Sequence, residues 1–115
     1  MKIEPFADHH HQRSHLGRHR WSVARLIELS RDFPVMEIPI DHLNIFTIYD
    51  KLTMREMVGH FLSVQRADLS CPIILDEDGE LMDGRHRIMR ALIEGKKSIR
   101  AVRFDENPEP CERVD

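Results

Sequence analysis

The sequence feature that most constrains the fold is a glycine that joins an apolar hairpin to a helix within residues 72–104. The dipeptide Asp78-Gly79, between two short apolar runs, is a strong signal for a tight hairpin turn. Gly84 follows the second run closely, and behind it apolar residues recur at helical spacing. Ile88, Ala91 and Leu92 are predicted to pack this helix onto the sheet as core residues. The segment therefore predicts a hairpin, a sharp glycine turn, a helix and a final strand over residues 72–82, 83–84, 85–94 and 98–104.

The residues at this turn, Asp83-Gly84-Arg85-His86-Arg87, have the chemistry of an anion site. A strand that passes through a glycine into a helix leaves backbone N–H groups without intrahelical partners, and the helix dipole adds positive potential there. The dipole disfavours cations, so three basic residues in the first turn are a local conflict that an anion would resolve. Arginine and imidazole donors suit phosphate oxygens, and we therefore expect phosphate as the ligand.

Each residue of the turn also has a purely structural interpretation. Gly84 fits an ordinary strand-to-helix turn as well as a close approach to a ligand. Asp83 can be the N-cap of the helix, or it can order the loop or contact a metal-bound water. The basic side chains can form salt bridges to Glu77 or Asp78 instead of binding an anion. The anion interpretation is preferred because it accounts for all three basic residues together.

The bulk composition predicts one soluble domain. With 115 residues, 41% hydrophobic and 32% charged, the chain is long enough for a modest core. No apolar run could cross a membrane and the N-terminus lacks the apolar centre of a signal peptide, so we expect a cytoplasmic location and no membrane partner. A net charge of −3 argues against a surface that coats nucleic acid but allows a local basic patch. Cys71 begins an apolar run, which predicts a buried, inert thiol.

Three regions are distinguished by their residue patterns. Residues 1–20 predict a flexible arm rich in histidine and arginine, because they show neither helical nor strand periodicity. The adjacent histidines 9–11 could instead ligate a metal, but no second cluster completes a structural site. Residues 21–105 predict the folded domain, and residues 106–115 predict a frayed acidic tail.

The residues before the hairpin predict helix, strand and helix. Ser22 is a favourable N-cap for the first helix, which should end before Pro34. A strand over 35–40 contains Pro39, which lacks a ladder donor and so favours an edge position. A capping box that begins at Thr53 opens the second helix. Its apolar face should pack in the core through Met54, Met57, Val58, Phe61 and Val64. The fold class predicted is α+β, a small mixed sheet with packed helices.

Most of residues 36–104 resemble the ParB/sulfiredoxin-like superfamily, also called the ParB-like nuclease domain. The resemblance is carried by the hairpin, the Asp-Gly-x-His-Arg loop with its helix and following strand, and by the Ile-Pro-Ile run at 38–40. It implies a ParB/sulfiredoxin-like fold and a loop that holds nucleotide phosphates, so ATP, ADP or CTP with Mg²⁺ are the expected ligands. By position, Gly84, His86 and Arg87 would contact the phosphates.

The residue after the glycine separates this chain from two branches of that superfamily. Sulfiredoxins carry their catalytic cysteine there and partition proteins a glutamate, whereas this chain has Arg85. Reduction of a sulfinic acid is therefore not expected. Partition proteins also continue into a helix-turn-helix domain, and because the sequence ends at Asp115 a stand-alone domain is expected. The free serine kinases are more similar, since their Asp-Gly-His-His-Arg loop differs only at the third residue.

A kinase-like reaction would also need a carboxylate base near the substrate hydroxyl. Glu37, Asp50 and Asp68 are the candidates, and the sequence does not choose among them. Phosphoryl transfer relies mainly on positioning and charge neutralisation, so one base and a basic cradle would suffice. We expect a nucleotide-binding domain that either only binds or also acts as an NTP hydrolase or small-molecule phosphotransferase. The alternative is a non-catalytic nucleic-acid-binding or regulatory module that uses the same basic loop on a DNA or RNA backbone.

Overall fold

Two β-sheets and three α-helices make up the part of the chain that the computed structural model describes, residues 13–16, 19–43, 52–109 and 112–113. In chain order the elements are β1 (Arg13–Leu16), β2 (His19–Ser22), α1 (Val23–Ser30), β3 (Met36–Pro39), a 3-10 turn (Ile40–His42), α2 (Met54–Arg66), β4 (Ile73–Leu75), β5 (Leu81–Asp83), α3 (Arg85–Ile93), β6 (Ser98–Arg103) and β7 (Glu112–Arg113). The α+β class and the predicted order of helices and strands from Ser22 to Arg103 are confirmed.

The central sheet is mixed and has the strand order β3-β6-β4-β5. Strand β6 runs parallel to β4, whereas the β3–β6 and β4–β5 pairs are antiparallel. The β4–β5 hairpin pairs Ile74 with Asp83 and turns through Gly79, whose φ is 84°. Strand β3 lies at an edge, as Pro39 predicts. The hairpin brings the end of β5 beside the beginning of β4, which positions the turn into α3.

Helices cover both faces of this sheet. Side chains alternate along β4, so Ile73 and Leu75 lie in one buried cluster and Ile74 in the other. Ala91 of α3 belongs to the first cluster, and Leu26 of α1 belongs to the second. Burial of each such side chain contributes about 1.5–3 kcal/mol. The turn between β5 and α3 is therefore fixed at both ends by core packing.

Gly84 is required where β5 passes into α3. Its φ of 118° lies in a region that L side chains rarely adopt. A Cβ atom added there would also lie 2.8 Å from Cβ and 3.1 Å from Cα of Ile73, and closer still to its Cγ2. Close packing of the helix start on β4 therefore explains this glycine without invoking a ligand.

Helix α2 packs beside α3, and the prediction of its core face is wrong in most positions. Gly59, Ser63 and Val64 are buried. The other apolar residues of the predicted face are exposed, with Met54 86% and Phe61 55% accessible, Met57 38% and Val58 36%. Helical spacing marks an apolar stripe on α2, but hydrogen bonds with α3 are made by His60 and by the carbonyl oxygens of Val64 and Gln65.

Two further burial predictions are also corrected. Cys71 is exposed, because it lies in the turn before β4, where its N–H donates to the carbonyl oxygen of Asp68 over 3.1 Å. Leu92, near the end of α3, is half exposed, whereas Ile88 and Ala91 are buried as predicted. In the described residues, no helix is long and apolar enough to cross a membrane.

A second, three-stranded sheet has the order β1-β2-β7. Strands β1 and β2 pair in antiparallel fashion from Arg13↔Ser22 to Leu16↔His19, and β7 joins the other side of β2. No strand is predicted here, because these residues lack alternating apolar and polar positions. The three adjacent histidines 9–11 lie outside the described residues, and the flexibility of the arm stays a prediction.

Candidate anion site

The first turn of α3 carries the three basic residues of the motif. Gly84 is the N-cap, and the first intrahelical hydrogen bond runs from the Ile88 N–H to the Gly84 carbonyl oxygen over 3.0 Å. Arg85, His86 and Arg87 occupy the turn between them, and no acidic residue lies in it. The backbone amides and the helix dipole therefore add to the side-chain donors at this end of the helix.

Arg87 points into the protein and holds the loop together. Its Nη1 lies 3.3 Å from Asp83 Oδ2 and 3.3 Å from the Pro72 carbonyl oxygen. The two side chains of the ion pair are only 17% and 15% exposed. Asp83 is thus not the N-cap but the partner that orders the turn. The sequence suggests Glu77 or Asp78 as the salt-bridge partner of the basic side chains. For Arg87 the partner is Asp83.

His86 bonds across the helix interface to a residue that sequence reasoning missed. His60 Nδ1 on α2 lies 2.8 Å from His86 Nε2, and the ring centroids are 5.1 Å apart. A neutral imidazole has one donor and one acceptor nitrogen, so one proton lies between the two rings. No spacing in the sequence connects these residues, because the contact depends on how α2 packs on α3.

Both imidazoles are held neutral near physiological pH. Burial is the largest cause that lowers the pKa of His86 to about 4, and Coulombic repulsion by Arg85, by Arg87 and by any proton bound to His60 acts in the same direction. Burial also lowers the pKa of His60, Arg85 lowers it further and Glu56 opposes them. Arg85 is exposed, and its positive charge acts on both histidines.

Arg90 fixes the helix pair that brings the two histidines together. Its Nη1 donates to the carbonyl oxygens of Val64 at 3.3 Å and Gln65 at 2.5 Å, at the end of α2. Its Nε lies 2.6 Å from Glu94 Oε2, which is the surface pair expected from their spacing. A cation at the C-terminus of a helix is favourable for its dipole. Arg90 therefore stabilises the α2–α3 contact one turn away from the histidines.

Asp68 is the candidate base that the structure places on the same side as the motif. It lies between α2 and β4, and its Oδ1 accepts hydrogen bonds from the Ser70 N–H at 2.9 Å and the Ser70 hydroxyl at 2.6 Å. These bonds lower the pKa of Asp68, and the nearby charge of Arg87 adds a smaller lowering. The carboxylate is ionised near neutral pH but engaged in a local turn.

The other two candidate bases are not brought to the motif in the described contacts. Glu37 lies on β3, at the opposite edge of the sheet from β5. It accepts a hydrogen bond from the Ser98 hydroxyl at 3.1 Å and pairs with Arg100 at 3.8 Å. Asp50 lies outside the described residues. Within those residues, no group of three or more histidine, cysteine or acidic side chains could hold a metal ion.

Comparison with known proteins gives no match for this chain. No family model matches it, and neither a curated protein nor a solved structure is significantly similar to it. The resemblance to the ParB/sulfiredoxin-like superfamily therefore stays a prediction. The function has to be argued from the site itself.

Proposed function

We propose that this protein binds the phosphate groups of a nucleotide at the first turn of α3, with Arg85 and His86 as the contacting side chains. One observation carries the proposal: an exposed arginine and a cross-helix imidazole pair lie together at a helix N-terminus that has no acidic residue in its first turn. Arg87 has a positioning role, because Asp83 already offsets its charge.

Three groups that interact favourably with phosphate lie together at the start of α3. The helix N-terminus supplies amide donors and positive potential, Arg85 supplies a guanidinium that can pair with two phosphate oxygens, and His86 supplies a ring at the helix interface. A hydrogen bond to a charged group contributes about 1.5–3 kcal/mol. Two such contacts would give a measurable affinity for a phosphate group even without a base-specific pocket.

ATP, ADP and CTP with Mg²⁺ are the proposed ligands. Mg²⁺ binds through one or two carboxylates together with substrate phosphates, so it would enter with the nucleotide. Asp68 fits such a role on the Arg87 side of the motif. It would also be the first residue to test as a base if the protein hydrolyses a nucleotide or transfers its phosphate. To bind Mg²⁺ or to act as a base, the Asp68 carboxylate would have to give up its hydrogen bonds from Ser70.

Isothermal titration calorimetry with ATP, ADP, CTP and GTP, each with and without Mg²⁺, tests the proposal. We expect one of them to bind and Arg85→Ala to weaken it by about 1.5 kcal/mol or more. Arg31→Ala is the matched control, because Arg31 is an exposed arginine at the end of α1 that pairs with Glu28. Absence of heat with every nucleotide, or an equal loss in both variants, would overturn the proposal.

Titrations at several ionic strengths distinguish the binding of a nucleotide from contact with a nucleic-acid backbone. Backbone binding weakens steeply with ionic strength, because it depends on release of counterions. Binding of a nucleotide in a pocket depends more on base identity and Mg²⁺. An oligonucleotide that binds with a steep salt dependence, in a protein that ignores mononucleotides, would assign the basic loop to DNA or RNA.

A further inference from the structure

His60 reaches the anion site from a different helix, 26 residues before His86 in the sequence. The 2.8 Å contact between Nδ1 of His60 and Nε2 of His86 requires one shared proton. A neutral pair holds two ring protons, one of them in this bond. A third proton can be taken up on an outer ring nitrogen without loss of the bond, whereas a fourth would place two donors face to face.

The charges around the pair decide whether that third proton is bound. Glu56, one turn before His60 on α2, favours it. Arg85 and Arg87, on either side of His86 on α3, oppose it, as does burial of the rings. Arg90, one turn further along α3, bonds to the end of α2 and keeps the two helices in place. Without a ligand the opposing effects dominate, and the pair is neutral near pH 7.

An anion beside Arg85 would reverse this balance. It would offset the guanidinium charge that now lowers the pKa of both histidines, and its oxygens would accept a hydrogen bond from an imidazolium better than from a neutral ring. The pair would then hold the third proton at a higher pH than it does alone. The proton comes from the solvent when the anion binds and returns to it when the anion leaves.

We propose that the His60–His86 pair is the proton-accepting part of the anion site: an anion held beside Arg85 draws one proton onto the pair, and binding strengthens as pH falls. The inference rests on the proposed function and adds His60 to the site. The affinity changes by up to tenfold for each pH unit over which a full proton is taken up, because one pKa unit corresponds to a tenfold change in binding. His86 is a contacting residue in this scheme, and His60 is a positioning residue that shares its proton.

Sulfate and ADP are the probes for the test. Sulfate remains a dianion across the range from about pH 5 to about pH 8 in which histidines titrate, so its pH dependence reports the protein alone. Nitrogen-detected NMR of the imidazole rings measures the pKa values of His60 and His86 with and without saturating sulfate. Calorimetry of sulfate in two buffers of different ionisation enthalpy counts the protons that the protein takes up, and ADP tests whether the same site binds a nucleotide.

In the wild type we expect the pKa of the pair to rise by about one unit or more with sulfate, and sulfate binding to take up a proton. His60→Gln keeps a hydrogen-bonding side chain that does not titrate. It should still bind at about pH 8 but lose most of the gain on acidification. His42→Gln, which removes an exposed histidine of the 3-10 turn, should behave as the wild type does.

The outcomes separate this inference from the proposed function. Anion binding with no proton uptake and no change in the two histidine pKa values would overturn the proton coupling and leave phosphate binding in place. Full pH dependence in His60→Gln would do the same. If neither sulfate nor ADP bound at any pH, both proposals would fail together. The NMR measurement on the wild type decides the matter even if the variant does not fold.

Discussion

Substituting alanine for Gly84 probes the packing that positions the anion site. Two costs add at this position. A non-glycine residue at a φ of 118° carries about 1–3 kcal/mol of backbone strain. The new Cβ would lie 2.8 Å from Cβ of Ile73, and relief of this overlap typically costs about 1–3 kcal/mol. The sum, about 2–6 kcal/mol, is a large part of the free energy of unfolding, about 5–15 kcal/mol, that is expected for a domain.

Urea denaturation followed by far-ultraviolet circular dichroism measures the effect. Gly79→Ala is the matched control, because Gly79 has a φ of 84° but nothing within 4 Å of an added Cβ. We expect Gly84→Ala to lose about 1–3 kcal/mol more than Gly79→Ala, which is the overlap with Ile73 alone. Ile73→Ala should cost less in the Gly84→Ala background than in the wild type, since it removes part of the overlap. Equal losses in the two glycine variants would refute the packing argument.

Three further predictions address the site and the helices. The unfolded chain binds more protons than the folded one between the ordinary pKa of 6.5 and the value of about 4 for His86, so stability falls as pH is lowered through that window. His86→Gln should reduce that fall by about 1 kcal/mol, after allowance for solvent screening, in urea titrations at several pH values. Asp83→Asn should cost about 1–3 kcal/mol in the same assay, because it leaves the partly buried guanidinium of Arg87 without its counter-charge. Met54→Gln should change stability by less than about 0.5 kcal/mol, and a larger loss would mean that this 86% exposed side chain packs against something.

Local signals in the sequence were sufficient for the elements around the site. Asp78-Gly79 predicts the hairpin, and Pro39 predicts an edge strand. Thr53 predicts the start of α2, where its hydroxyl accepts a hydrogen bond from the Glu56 N–H at 3.1 Å. In each case the cause acts over a few residues, through backbone conformation or a missing donor. The order of elements follows from such signals, and so does the first turn of α3.

Helix packing could not be predicted in the same way. The apolar stripe of α2 favours a core face through Phe61, yet Phe61 is exposed and the buried residues of the helix include Gly59 and Ser63. That choice depends on which surfaces fit, and hydrophobic spacing does not encode it. The His60–His86 contact follows from the same choice and was missed for the same reason. The direction of the Arg87 side chain likewise depends on the Pro72 carbonyl, which only the folded hairpin brings near.

These contacts change what the basic motif offers to an anion. Three cationic residues in one helical turn suggest a strongly positive site, but Asp83 offsets Arg87 and burial keeps His86 neutral near pH 7. Long-range attraction by the exposed guanidinium of Arg85 is screened within about 8 Å at physiological ionic strength. Affinity must therefore come from short-range hydrogen bonds at the helix N-terminus. A site of this kind favours a compact, multiply charged group such as phosphate over an extended polyanion, whose binding needs a row of positive charges.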